Sequence, residues 1–140
     1  QNVDDLHERA GSSNVLHLHG ELLKARSTFD DNLVMDWKKD IRSGDFCEHN
    51  KQLRPHIVWF GEAVPMFQKA VDQCAMADIL IIVGTSMQVY PAAGLVDFIP
   101  KNCPVYFIDP KPNISENASL QIISKKAAEG IPKLVAQLLA

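Results

Sequence analysis

Ile79-Leu80-Ile81-Ile82-Val83 is a continuous run of large aliphatic residues that stops abruptly at Gly84-Thr85-Ser86. Side chains of a strand point alternately to its two faces, so such a run cannot give one face to water. It demands cover on both sides, which is the situation of a parallel strand flanked by helices. The run is far short of the roughly 20 apolar residues that span a bilayer, and no membrane association is expected. Val105-Tyr106-Phe107-Ile108 reads as a second strand of the same kind, and Leu120-Gln121-Ile122-Ile123 as a shorter third. Helical spacing lies between and after them. Phe67, Ala70, Val71, Cys74 and Ala75 share one face of a helix starting at Pro65, and Pro91-Ala92-Ala93-Gly94 can open another. A last helix is expected from near Pro132, with Ile131, Leu134, Val135 and Leu138 on its apolar side. Strands alternating with helices predict an α/β fold with a parallel sheet and right-handed crossovers.

The first 60 residues read differently. A helical turn at 5–10 closes at Gly11, and Val15-Leu16-His17-Leu18-His19 alternates with period two, predicting a strand with both histidines on one face. Residues 21–55 hold most of the charge and show no clear period beyond a possible amphipathic turn at 34–41, which predicts an inserted, partly irregular lobe. After Pro55, His56-Ile57-Val58-Trp59-Phe60 is β-prone and ends at Gly61. With 46% hydrophobic and 22% charged residues, the 140-residue chain has a globular composition, not that of a disordered or fibrous protein. A net charge of −3 without a basic stripe argues against nucleic acid. The absence of a signal-peptide pattern leads us to expect a cytoplasmic protein. Three widely spaced cysteines without a C-x-x-C pair do not make a disulfide framework, and Cys74 and Cys103 read as small core residues.

In open α/β sheets ligands bind beyond the carboxyl ends of the strands. Gly84-Thr85-Ser86 lies at such an end, and Asp109 closes the next strand twenty-five residues on, where an acidic side chain often accepts a ribose hydroxyl. The pattern fits nucleotide binding and an ordinary strand-loop-helix turn equally. Gln1-Asn2-Val3-Asp4 and His19-Gly20 form a second candidate. A neutral imidazole suits general-base work, and amide and carboxylate groups suit orienting a polar ligand. Helix capping by Asp4 and a surface histidine pair account for the same residues.

The order and wording of these segments resemble the sirtuins, the NAD-dependent protein lysine deacylases. Residues 1–11 (QNVDDLHERAG), Leu18-His19-Gly20, residues 54–62 (RPHIVWFGE) and residues 83–93 (VGTSMQVYPAA) occur in sirtuin order with sirtuin-like spacing. The third segment looks most like the bacterial and mitochondrial branch that includes desuccinylases. The resemblance implies a Rossmann-like parallel sheet with helices on both faces, formed by 1–20 and 56–140, and a small inserted lobe at 21–55. It implies NAD as cofactor and acyl-lysine proteins or peptides as partners. His19 would be the general base that deprotonates a ribose hydroxyl after the acyl oxygen has displaced nicotinamide. Asn2 and Asp4 would hold the nicotinamide ribose and carboxamide, and Gln1 a ribose hydroxyl. Gly84, Thr85 and Ser86 would line the path of the NAD ribose and phosphate, Asp109 would accept a ribose hydroxyl where the family usually has Asn, and Ala127 would offer backbone to adenine. Val58, Phe60, Gly61, Glu62 and Val89 would contact the acyl-lysine substrate, which adds as a strand.

Two departures qualify these expectations. Sirtuins usually bind a structural zinc through two C-x-x-C pairs. Here the four positions fall on Ser27, Asp30, Cys47 and Asn50, leaving one thiol, so no structural zinc is expected and the lobe should pack around Phe29, Trp37, Ile41 and Phe46. The family's phosphate-binding loop and its succinyl-reading Tyr/Arg pair precede the segment that matches Gln1. These residues are therefore expected to be the C-terminal portion of a catalytic domain of about 230 to 270 residues, with little activity in isolation. Acyl preference and oligomeric state are not legible. The alternative is a non-catalytic nucleotide-binding or interaction domain on the same scaffold, disfavoured by the joint presence of Gln1, Asn2, Asp4 and His19. A zinc hydrolase using His17, His19, Cys47 and His49 lacks any recognised ligand spacing.

Overall fold

The computed structural model describes residues 2–140, so the role expected of Gln1 falls outside the described residues. The chain divides into two compact units, Gln1–Met66 and Phe67–Ala140.

The first unit holds a short helix α1 (Leu6–Arg9) and three strands, β1 (Gly20–Ser27), β2 (Val34–Asp36) and β3 (Leu53–Ile57). They form an antiparallel sheet in the order β2-β1-β3. Lys24 faces Asp36 and Arg26 faces Arg54, while a bulge between Gly20 and Ala25 breaks the register of β1 against β3. Residues 21–55, expected to be partly irregular, thus contribute most of a regular sheet. The bulge interrupts the period-two pattern by which β1 would have been read.

The strand expected at 15–19 does not form. The chain is irregular until a turn at Leu18 and His19, and strand pairing begins only at Gly20. β3 starts two residues before Pro55 and ends at Ile57, so Trp59 and Phe60 lie in a turn and not in a strand. Proline is tolerated within β3 because β3 is an edge strand, where a missing N–H need not break a ladder. Ala25, Cys47 and Leu53 make the core of this unit, with Leu33, Met35, Trp37 and Ile41 packed against them. Trp37 and Ile41 take the expected places, but Phe29 and Phe46 are 67% and 56% exposed. Ser27 Oγ accepts the Phe29 N–H at 3.0 Å, turning the chain outward, and Phe29 meets the His49 ring edge-on at 6.0 Å.

The second unit is an α/β arrangement in which β4 (Leu80–Val83), β5 (Val105–Ile108) and β6 (Leu120–Ile123) form a parallel sheet in sequence order. Leu80, Val105 and Leu120 stand in register, so the strands end level at Val83, Ile108 and Ile123. The central strand is β5, and two of its residues, Phe107 and Ile108, are fully buried. Two-sided cover was expected of the Ile79–Val83 run instead. It lies at the edge of this three-stranded sheet, and Ile79 and Ile81 remain 42% and 38% exposed. Helix α2 (Phe67–Ala75) packs on a 3₁₀ helix (Ala92–Phe98), with Phe67 and Phe98 edge to face at 6.2 Å. Helix α3 (Ala127–Leu138) begins five residues before Pro132, which lies inside it. A proline there deprives one carbonyl near the helix start, that of Ala128, of its usual donor, and the rest of the helix continues.

Candidate active site

In the first unit, His19 occupies the turn that leads into β1 and is 7% exposed. Burial disfavours the imidazolium and holds its pKa below the ordinary range, leaving a neutral ring able to accept a proton. The His19 carbonyl accepts the Val58 N–H at 2.9 Å, which joins the histidine to the end of β3. The next residue explains why the chains can approach so closely. Gly20 has φ +88°, and a Cβ there would lie 2.0 Å from the His56 carbonyl oxygen. Only glycine fits beside β3 immediately after the histidine.

The segment carrying Asn2 and Asp4 is tied to β1, since the Val3 carbonyl accepts the Leu22 N–H at 2.7 Å. A second tie runs from His17 Nε2 to Glu8 Oε1 at 2.6 Å, between α1 and the stretch before His19. Asn2 is exposed. Asp4 Oδ1 accepts the Leu6 N–H at 3.1 Å, a local bond just ahead of α1, while the N-cap position itself is Asp5, whose side chain makes no capping bond.

Val58 is buried, lines a cavity of about 280 Å³ with Leu18, Gly20 and His56, and leads into a tight turn. The Glu62 N–H donates to the Trp59 carbonyl at 3.1 Å, and Gly61 supplies the φ of +87° that the third turn position requires. Phe60 at the tip is 79% exposed. The Glu62 carboxylate turns inward. Oε1 accepts from Arg54 Nη1 at 2.7 Å, and Oε2 accepts from Arg54 Nη2 at 3.1 Å and from the Trp59 N–H at 3.0 Å. Arg54 and this backbone donor hold the carboxyl pKa below its usual range. No role for Arg54 was legible, because no local spacing rule links residues eight apart across a turn. The only signal was the opposite charges bracketing residues 55–61.

In the second unit, Gly84-Thr85-Ser86 follows β4 and Asp109 follows β5. The Gly84 N–H donates to the Ile108 carbonyl at 2.9 Å, so the two candidate ends are neighbours. Thr85 Oγ1 accepts the Met87 N–H at 3.2 Å, and the Ser86 carbonyl accepts from Asn113 Nδ2 at 3.1 Å. Asp109 Oδ1 accepts the Lys111 N–H at 2.8 Å. Ala127, exposed, is the first residue of α3, and Val89 is 37% exposed. The residues present fit a nucleotide's sugar and phosphate. A Cβ at Gly84 would meet nothing within 4 Å, so the backbone is open to close approach, and hydroxyls and a carboxylate stand beside it at the carboxyl ends of parallel strands.

The four positions aligned with zinc ligands contain one thiol. Cys47 Sγ lies 3.3 Å from Ser27 Oγ, which also accepts the Phe29 N–H, and both side chains are buried. Among the described residues no group of three or more His, Cys, Asp or Glu side chains is placed to hold a metal ion, and no helix is long and apolar enough to cross a membrane.

Comparison with known proteins adds to this geometry. Residues 1–91 match the Sir2 family. An NAD-dependent protein deacylase of Helicobacter pylori (strain ATCC 700392 / 26695) is 52% identical over 143 residues, an alignment that includes 99% of this chain and 61% of the relative. The chain therefore spans about three fifths of that relative's length. A crystal structure of a Sir2 homologue in complex with NAD superposes with a TM-score of 0.84 at 36% identity, covering 99% of this chain and 56% of that one. A Sir2 structure with a p53 peptide and NAD superposes with a TM-score of 0.76 at 25% identity, covering 98% and 60%.

Proposed function

Because this chain belongs to the Sir2 family, matched over residues 1–91, we propose that the protein is an NAD-dependent protein lysine deacylase in which His19 is the general base. The observation that carries the reading is the buried, neutral His19, bonded through its own carbonyl to Val58 at the start of the Trp59–Glu62 turn. When bound, NAD supplies an anomeric carbon and a leaving nicotinamide.

The chain's own residues do the rest. Neutral His19 accepts the proton of a ribose hydroxyl, and the low-dielectric surroundings that keep it neutral sharpen its response to a nearby developing charge. Asn2 and Asp4 orient the ribose and carboxamide. The hydroxyls of Thr85 and Ser86 and the exposed backbone of Gly84 receive sugar and phosphate oxygens, the Asp109 carboxylate accepts a ribose hydroxyl, and the backbone at Ala127 meets adenine. Val58, Phe60, Gly61, Glu62 and Val89 flank an extended acyl-lysine peptide. The peptide held by the solved p53 complex supports this class of partner.

We further propose that the lobe holds no structural zinc and that the protein works in the cytoplasm, where the free thiols Cys47, Cys74 and Cys103 stay reduced. The test is nicotinamide release from NAD with an acetyl-lysine peptide by the full-length protein and its His19→Ala variant. We expect the variant to lose about 10²- to 10⁴-fold in kcat, and equal release would sink the assignment.

A further inference from the structure

We propose that Arg54 and Glu62 are positioning residues that hold the Trp59–Glu62 turn in the shape that receives the substrate's backbone. The inference rests on the reading that this turn flanks the acyl-lysine peptide.

The five residues from Val58 to Glu62 are fixed at both ends and bare in the middle. Val58 is held by its N–H on the His19 carbonyl at 2.9 Å. Glu62 closes the turn twice, by its N–H on the Trp59 carbonyl at 3.1 Å and by its carboxylate on the Trp59 N–H at 3.0 Å. Arg54 on β3 grips the same carboxylate with both Nη atoms, at 2.7 and 3.1 Å, and its Nη2 also reaches the Ile57 carbonyl at 3.4 Å. From β1, Arg26 Nη2 stands 3.6 Å from Glu62 Oε2. Ionised carboxylates paired bidentately with a guanidinium make the strongest class of protein hydrogen bond, with fixed direction as well as energy. Here the direction is passed to the backbone, because Glu62 Oε2 is shared by Arg54 and the Trp59 amide.

Two consequences follow for a strand that adds alongside. The Glu62 side chain is occupied, so Glu62 meets the substrate through its backbone and does not read the substrate's charge. The turn is also ordered before the peptide arrives, so binding does not have to order it.

The experiment uses the full-length protein and its Glu62→Ala, Glu62→Gln and Arg54→Ala variants. Each is assayed for nicotinamide release with an acetyl-lysine peptide, for thermal midpoint, and for hydrogen exchange at the Trp59 amide. Glu62→Ala and Arg54→Ala are expected to raise the KM for peptide about tenfold or more, the size of losing a charged hydrogen bond, while the KM for NAD stays within about twofold. Glu62→Gln retains an acceptor for the Trp59 N–H and should keep that amide protected and recover part of the peptide KM. A merely structural pair would lower the thermal midpoint and kcat while leaving peptide KM unchanged, and that result overturns the inference. Unprotected Trp59 exchange in the unsubstituted protein overturns it as well. An unsubstituted protein that releases no nicotinamide at all refutes the deacylase reading and this inference with it, whereas normal release with unmoved peptide KM in Glu62→Ala refutes the inference alone.

Discussion

A β-carbon at position 20 would sit 2.0 Å from the His56 carbonyl oxygen, on a backbone whose φ of +88° costs L-residues energy by itself. Steric displacement and backbone strain therefore add at Gly20, whereas at Gly44, with φ +95° and nothing within 4 Å of the added carbon, only strain applies. Gly20→Ala is expected to lose about 2 to 4 kcal/mol and Gly44→Ala about 1, read as urea midpoints of the two variants. Equal losses would contradict the close approach of β1 and β3 behind His19. At this scale the sequence was partly legible. A histidine before glycine allowed both a base and a surface residue, and it was the surrounding order of motifs, not spacing, that singled out His19. The inward turn of Glu62 needed Arg54 from another element, and the opposite charges at residues 54 and 62 are the one sign of that partnership in the sequence.

Among the elements, β4, β5 and β6 could be read from short, mainly apolar runs, although Gln121 interrupts the last and Ile81 of edge strand β4 is 38% exposed. β1 could not. Its sequence GELLKARS carries Glu21, Lys24 and Arg26 around Leu22-Leu23, and the bulge between Gly20 and Ala25 removes the alternation that marks a half-buried strand. The lobe it anchors closes on small partners, Ala25, Cys47 and Leu53, with Ser27 Oγ and Cys47 Sγ 3.3 Å apart at two of the positions that carry zinc ligands in the resembling family. On the proposed absence of zinc, the lobe has no folding energy tied to a metal. The thermal midpoint is accordingly expected to be the same before and after treatment with a strong chelator. A fall on chelation, or one tightly held zinc per chain by elemental analysis, would contradict the proposed absence of zinc.

For the molecule as a whole, acid is the condition that bears directly on the unit that holds His19. His19 and His56 are both held below the ordinary imidazole value of about 6.5 by burial, with Arg26 adding to the effect at His56. About a unit or more above 6.5 both residues are neutral folded or unfolded and stability does not depend on them. As pH falls below that value the unfolded chain binds protons that the folded one resists, so stability declines until the folded pKa is passed. The urea midpoint should thus hold steady above about pH 7.5 and drop from there towards about pH 5.5, and a flat profile from about pH 7.5 to 5.5 would exclude buried neutral histidines. The parallel arrangement of the second unit was legible from its apolar runs alone, whereas the antiparallel sheet of the first emerges only from contacts between distant, charged segments. Pro55, inside edge strand β3, carries one further consequence. A proline offers no amide hydrogen, so a foreign chain laid along that edge finds a gap in the ladder where it would need a donor. The outer edge of β3 is therefore a poor seed for intermolecular β-aggregation.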